Sequence, residues 1–182
     1  MNQALLLVDL QKDYFPGGKM ELAGINEAAV QAQALLAEFR RRHWPTYHIQ
    51  HVSTRQGAPF FVPGTPGVEI QALIAPLPGE TVIEKHFPNS FRDTGLQEHL
   101  FAAQVQELVI CGAMSHMCID ATTRAAADLG FTCTVIHDAC ASRDLTFGDL
   151  VIPATHVHGA FMAALSPLYA RVVSLAKFLQ EL

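Results

Sequence analysis

Hydrophobic and polar positions alternate along the chain with two different periods. Ala4-Leu-Leu-Leu-Val8 is a continuous apolar run stopped by Asp9, the pattern of a central strand buried on both faces of a parallel sheet. Asn26 stands where it can cap a helix running to about Arg42, with Ala29, Val30, Ala34, Leu35 and Phe39 on one side. Pro45 ends that helix, and residues 46–52 read as a second strand. Residues 53–68 hold Gly57, Pro59, Pro63, Gly64, Pro66 and Gly67 and predict a long loop, a length that is usually functional inside a compact domain. Residues 81–84 predict a short strand, followed by a loop through Phe87, Pro88 and Phe91 and a helix over residues 96–103. Residues 107–111 read as a strand ended by Gly112, and Ser115 precedes a helix that runs to about Leu129 with Gly130 in the terminal position. A strand over residues 132–137, a departing segment at 138–143, a helix over 150–165, a strand over 171–174 and a closing helix complete the pattern. The alternation predicts one doubly wound α/β domain over residues 1–182, with a central parallel sheet of about six strands and helices on both faces.

Composition narrows the function classes. Half of the 182 residues are hydrophobic, which excludes a disordered chain, a collagenous repeat or a small disulfide scaffold. The net charge of −5, with no basic cluster beyond Arg40-Arg41-Arg42, argues against nucleic acid. Apolar runs are strand-sized, whereas a membrane-spanning helix needs about 20 residues. The start lacks the basic segment and cleavage site of a signal peptide, so a cytoplasmic protein is expected. Cys111, Cys118, Cys133 and Cys140 contain no C-x-x-C pair, so a zinc ribbon is not expected and the thiols are expected to be reduced.

Ligands of open parallel sheets bind beyond the carboxyl ends of the strands. Asp9 and Lys85 fall at two predicted strand ends, and Cys118 opens a helix six residues after Gly112. Alone, each has an ordinary role as turn former, solvated charge or core residue. Together they are complementary: a helix start and a lysine favour a thiolate, and a carboxylate can take or return its proton. Turn N–H groups between strand and helix can hold an oxyanion.

Leu7-Val-Asp9-Leu-Gln11-Lys-Asp13-Tyr-Phe, Glu84-Lys85, and the stretch from Cys111-Gly-Ala-Met-Ser-His-Met-Cys118 to Gly130-Phe resemble the isochorismatase-like cysteine hydrolases. That group includes nicotinamidases, N-carbamoylsarcosine amidases and ureidoacrylate-type amidohydrolases. The resemblance runs from Leu5 to about Leu165. It implies Asp9 as proton shuttle, Lys85 as electrostatic partner and Cys118 as nucleophile. It also implies a cis peptide between Ala113 and Met114, an oxyanion hole from the N–H groups of Met114 and Cys118, and a homo-oligomer, dimer or tetramer.

One departure from the family bears on metal. Nicotinamidase-type members carry Asp-x-His after the second strand, where this chain has His51 and Ser53. His48 and His51 are three apart, on opposite faces of a strand, so no metal and no cofactor are expected. His51 and His86 are candidate substrate contacts, with Phe15, Phe60, Phe61 and Phe91 as a candidate apolar wall. Gln11 is a candidate for orienting Asp9, and Asp13 reads as a loop or hydrogen-bonding residue. His116 is two residues from Cys118 and does not face it on a helix, while His156 and His158 read as polar-face or packing residues. The expected activity is hydrolysis of a C–N bond in a small amide, carbamoyl or ureido compound through a Cys118 thioester. Vinyl-ether hydrolysis and a non-catalytic small-molecule binding protein stand as alternatives. A dinucleotide enzyme lacks its G-x-G-x-x-G after the first strand.

Overall fold

The opening apolar run is the centre of the sheet. The computed structural model describes residues 2–182. In chain order the elements are β1 (Gln3–Val8), α1 (Ile25–Arg41), β2 (Thr46–His51), β3 (Thr81–Lys85), α2 (Leu96–Ala102), β4 (Glu107–Ala113), a π-helical turn (Ser115–Ile119), α3 (Asp120–Asp128), β5 (Thr132–Ala141), β6 (Leu145–Phe147), β7 (Leu150–Ile152), α4 (Ala154–Leu165), β8 (Arg171–Val173) and α5 (Leu175–Gln180). Six strands form one sheet in the order β3-β2-β1-β4-β5-β8, and every pairing in it is parallel. Helices pack against this sheet, as in the predicted α/β architecture. Ala4 to Val8 are buried in this central strand, as expected where both faces of a parallel sheet are covered.

Chain order proceeds from β1 to β2 and β3 on one side, then returns to β4, β5 and β8 on the other. The switch point lies between β1 and β4, where the strand ends diverge and leave a crevice. Gly112 pairs with Val8 across these two strands. A Cβ there would lie 2.0 Å from the Val8 carbonyl oxygen, and the backbone φ is 125°. Only glycine fits both conditions.

Several boundaries differ from the sequence reading. Gly24, not Asn26, precedes the first helix: it adopts φ 71°, and its carbonyl accepts the Ala28 N–H at 3.0 Å. β5 continues past His137 to Ala141, across a register shift between Ile110 and Gly112 that absorbs the extra residues. Residues 150–152 belong to a two-stranded hairpin rather than to a helix. Leu-Thr-Phe and Leu-Val-Ile flank Gly148-Asp149, a β pattern around a turn. The helix starts after Pro153, where the Asp144 carboxylate accepts the Ala154 N–H at 2.8 Å. Among the described residues, no helix is long and apolar enough to cross a membrane, and all four cysteines are free.

Candidate active site

Three loops at the switch point bring Asp9, Lys85 and Cys118 together. Asp9 follows β1 in a left-handed conformation, φ 52°, which Asp tolerates better than most residues. Lys85 ends β3, and Cys118 lies in the π-helical turn between β4 and α3. The Lys85 ammonium is 2.8 Å from Asp9 Oδ2 and 3.3 Å from Cys118 Sγ. Its other acceptors are Phe87 O at 3.1 Å, His51 Nδ1 at 3.2 Å and Pro88 O at 3.4 Å. Asp9 and Lys85 have 0% relative exposure and Cys118 4%. Asp9 Oδ1, equally buried, has no hydrogen-bond partner among the described residues.

Charges this deep persist only when paired. Burial by itself would lower the Lys85 pKa, but the Asp9 carboxylate and Cys118 outweigh it and hold it above the ordinary lysine value. The ammonium is therefore charged. Burial pushes the Cys118 thiol up, Asp9 adds to the rise, and Lys85 opposes both. Desolvation therefore outweighs the help that the neighbouring cation gives the thiolate. Burial raises the other thiols as well, Cys111 strongly and Cys133 and Cys140 to about 12. His51 is pulled down by burial against the opposing pull of Asp9, with Lys85 adding to the fall. It is a neutral imidazole whose Nδ1 accepts from the ammonium.

The remaining candidate residues divide by position. Phe61 is fully buried, its ring centroid 4.6 Å from Tyr14 and 5.7 Å from His51. His51 and Phe61 thus belong to the cluster. Phe15 and Phe60 line a separate cavity of about 500 Å³ with Lys12, Asp13 and Gly67; none of Asp9, Lys85 or Cys118 lines it. The imidazole of His86 is turned to the Val52 carbonyl, 2.8 Å away. Phe91 stacks on Phe131 at 6.1 Å. Gln11 does not hold Asp9: its side chain bonds the His51 N–H at 2.7 Å, the His51 carbonyl at 2.8 Å and the Val68 carbonyl at 2.7 Å. The Ala113–Met114 peptide is cis.

Other neighbours of the site carried little signal in the sequence. Tyr14 is buried beside the cluster, and burial, then Cys118 and Asp9, raise its pKa well above the usual phenol value. His158 bonds Ser115 Oγ at 2.8 Å and His116 bonds Ser142 Oγ at 2.8 Å, which ties the π-helical turn that carries Cys118 to α4 and to the end of β5. Neither histidine forms a dyad with Cys118. His48, on the other face of β2, pairs with Glu80 at 2.9 Å.

Asp9, His51 and Cys118 offer ligand atoms within 4.8 Å of one another, a set able to hold a metal ion. The Lys85 Nζ lies within hydrogen-bond distance of one atom from each of these three residues. A cation of the protein's own occupies their centre, so the residues do not fit a resident metal alongside charged Lys85.

A buried carboxylate, ammonium and thiol thus meet beyond the strand ends of a parallel α/β sheet. The isochorismatase domain family model matches residues 3–176, and the chain belongs to that family. It is 51% identical over 180 residues to the isochorismatase family protein YddQ of Bacillus subtilis (strain 168), covering 99% of this chain and 100% of YddQ. A solved isochorismatase-family structure from Oleispira antarctica superposes with TM-score 0.95 at 50% identity, covering 98% of this chain and 96% of that one. Streptothricin hydrolase of Streptomyces noursei is 39% identical over 148 residues, 79% of this chain and 51% of that enzyme. Amidohydrolases and a nicotinamidase are among the further relatives.

Proposed function

We propose that the protein is a cysteine hydrolase that cleaves the C–N bond of a small amide, carbamoyl or ureido compound. The observation that carries this reading is the Lys85 ammonium bridging Asp9 Oδ2 and Cys118 Sγ while Asp9 Oδ1 stays unpartnered. One carboxylate oxygen is fixed by the cation and the other is free to accept a proton. The raised thiol pKa calls for a base that acts during attack rather than for a preformed thiolate.

Asp9 takes the Cys118 proton as Sγ bonds to the substrate carbonyl carbon, and the carbonyl π pair moves onto oxygen. The N–H groups of Met114 and Cys118 hold this oxyanion. As the tetrahedral species collapses, the C–N bond breaks and Asp9 returns the proton to the departing nitrogen, releasing ammonia or an amine. A water then gives its proton to Asp9 and attacks the thioester. The acid or carbamate product leaves, and Sγ regains the proton. Lys85 stays charged throughout and offsets the negative charge that moves among Asp9, Sγ and the oxyanion. His51 adjoins the Lys85 ammonium, and Phe61 packs against His51.

The test is ammonia release from a panel of primary amides, N-carbamoyl amino acids and ureido acids, with Cys118→Ala beside the native chain. We expect release by the native protein, a mass adduct on Cys118 under acid quench, and neither with the variant. Turnover retained by folded Cys118→Ala would overturn the covalent mechanism.

A further inference from the structure

The Lys85 ammonium has three hydrogens and five acceptors within 3.4 Å. Two of these, the Phe87 and Pro88 carbonyls, come from the loop just after β3. Where those carbonyls sit decides how the ammonium divides itself between Asp9 and Cys118. Nothing in β3 itself fixes them, because the strand ends at Lys85.

The loop is held from outside. Ser90 donates its backbone N–H to Thr122 Oγ1 at 3.1 Å, and the two hydroxyls are 2.8 Å apart. Thr122 Oγ1 also reaches the Pro88 carbonyl at 3.4 Å. Thr94 Oγ1 closes the other end on the Ser90 carbonyl at 2.6 Å. Ser90 and Thr122 are both fully buried, so no water substitutes for these bonds. Thr122 follows Cys118 by four residues, about one helical turn, and so lies on the same side of the segment as the nucleophile.

Resting on the cysteine-hydrolase reading, we propose that Thr122 is a positioning residue that acts on Lys85 through the Phe87–Pro88 carbonyls. One segment then carries both the thiol and the tether of the cation's cradle, so nucleophile and ammonium share a common reference. Without the hydroxyl, Ser90 N–H and Oγ lose their buried partner, the carbonyls shift, and the ammonium sits less well against Sγ.

The test uses Thr122→Val, which keeps the shape and removes the hydroxyl, and Thr122→Ser, which restores it. The first readout is the rate of Cys118 carboxamidomethylation by iodoacetamide between pH 7 and 10, followed by peptide mass. This readout needs no substrate, so it stands even if the panel above yields no turnover. We expect Thr122→Val to react several-fold more slowly, because less cation at Sγ means less thiolate, and Thr122→Ser to return toward the native rate. On an amide that the native enzyme turns over, Thr122→Val should lose about tenfold in kcat, with KM little changed. A native alkylation rate in folded Thr122→Val overturns the proposal. So does an equal loss in both variants, which would mean that the methyl and its packing, not the hydroxyl, matter.

Discussion

Lys85 Nζ donates to Asp9 Oδ2 at 2.8 Å with both side chains withdrawn from solvent. Such a pair is costly to break from one side, because the survivor is a buried unpaired charge. Asp9→Asn or Lys85→Met alone should destabilise the protein by about 3–5 kcal/mol. The double variant should lose less than the sum of the two. Urea unfolding of all four proteins gives the coupling, and strict additivity would mean that the pair is not a unit. Hydrolysis should be absent from all three variants.

Asp13 fastens the long loop after β2. Its carboxylate accepts the Phe61 N–H at 2.7 Å and the Lys19 N–H at 3.1 Å. Asp13→Ala leaves two donors without a partner, a loss of about 1–3 kcal/mol each where buried. Phe61 holds a left-handed conformation, φ 56°, that only such anchoring maintains. We expect trypsin to cut after the exposed Arg55 several-fold faster in Asp13→Ala than in the native chain. An unchanged cleavage rate would show that the loop is fixed by other contacts.

Gly112→Ala should be among the most damaging single changes in the chain. The added Cβ meets backbone of β1 rather than a side chain that can move aside. The strands that carry Asp9 and the Cys118 turn must separate, and we expect a fall in Tm well beyond the roughly 2–4 °C that ~1 kcal/mol produces in a domain of this size. Gly17→Ala also strains a positive φ but meets nothing within 4 Å, and should cost only about 1 kcal/mol.

The acid limb of the stability curve has an identifiable contributor away from the site. The Arg40 guanidinium hydrogen-bonded to Glu80 holds its carboxyl down at about 2 against burial, with the Leu77 N–H and His48 adding to the effect. A carboxylate with a depressed folded pKa adds stability that is complete above its unfolded pKa and is lost as pH falls through the folded one. The window here is from about pH 4.5 down to pH 2. Glu80→Gln should flatten the native decline across that window, by on the order of 2 kcal/mol, measured by urea unfolding between pH 5 and pH 2. An unchanged slope would assign the acid sensitivity to other groups.

The chain itself determined which segments become the central strands and where the reactive side chains leave them. A run such as Ala4–Val8 has few alternatives to a doubly covered strand, and a lone aspartate at its end cannot stay inside the sheet. The same local logic placed Lys85 at the end of its strand and Cys118 after Gly112. It read residues 150–152, the second strand of the hairpin, as the start of a helix because a short apolar run fits either period. Tertiary structure alone decided the rest. Burial raises the Cys118 pKa against the pull of Lys85, and burial is a property of the assembled site. Gln11 reaches His51 rather than Asp9, and Thr122 meets Ser90 across 32 positions of sequence. Sequence periodicity records which face a residue takes, whereas partners drawn from distant loops are set by the packing of the strands that carry them.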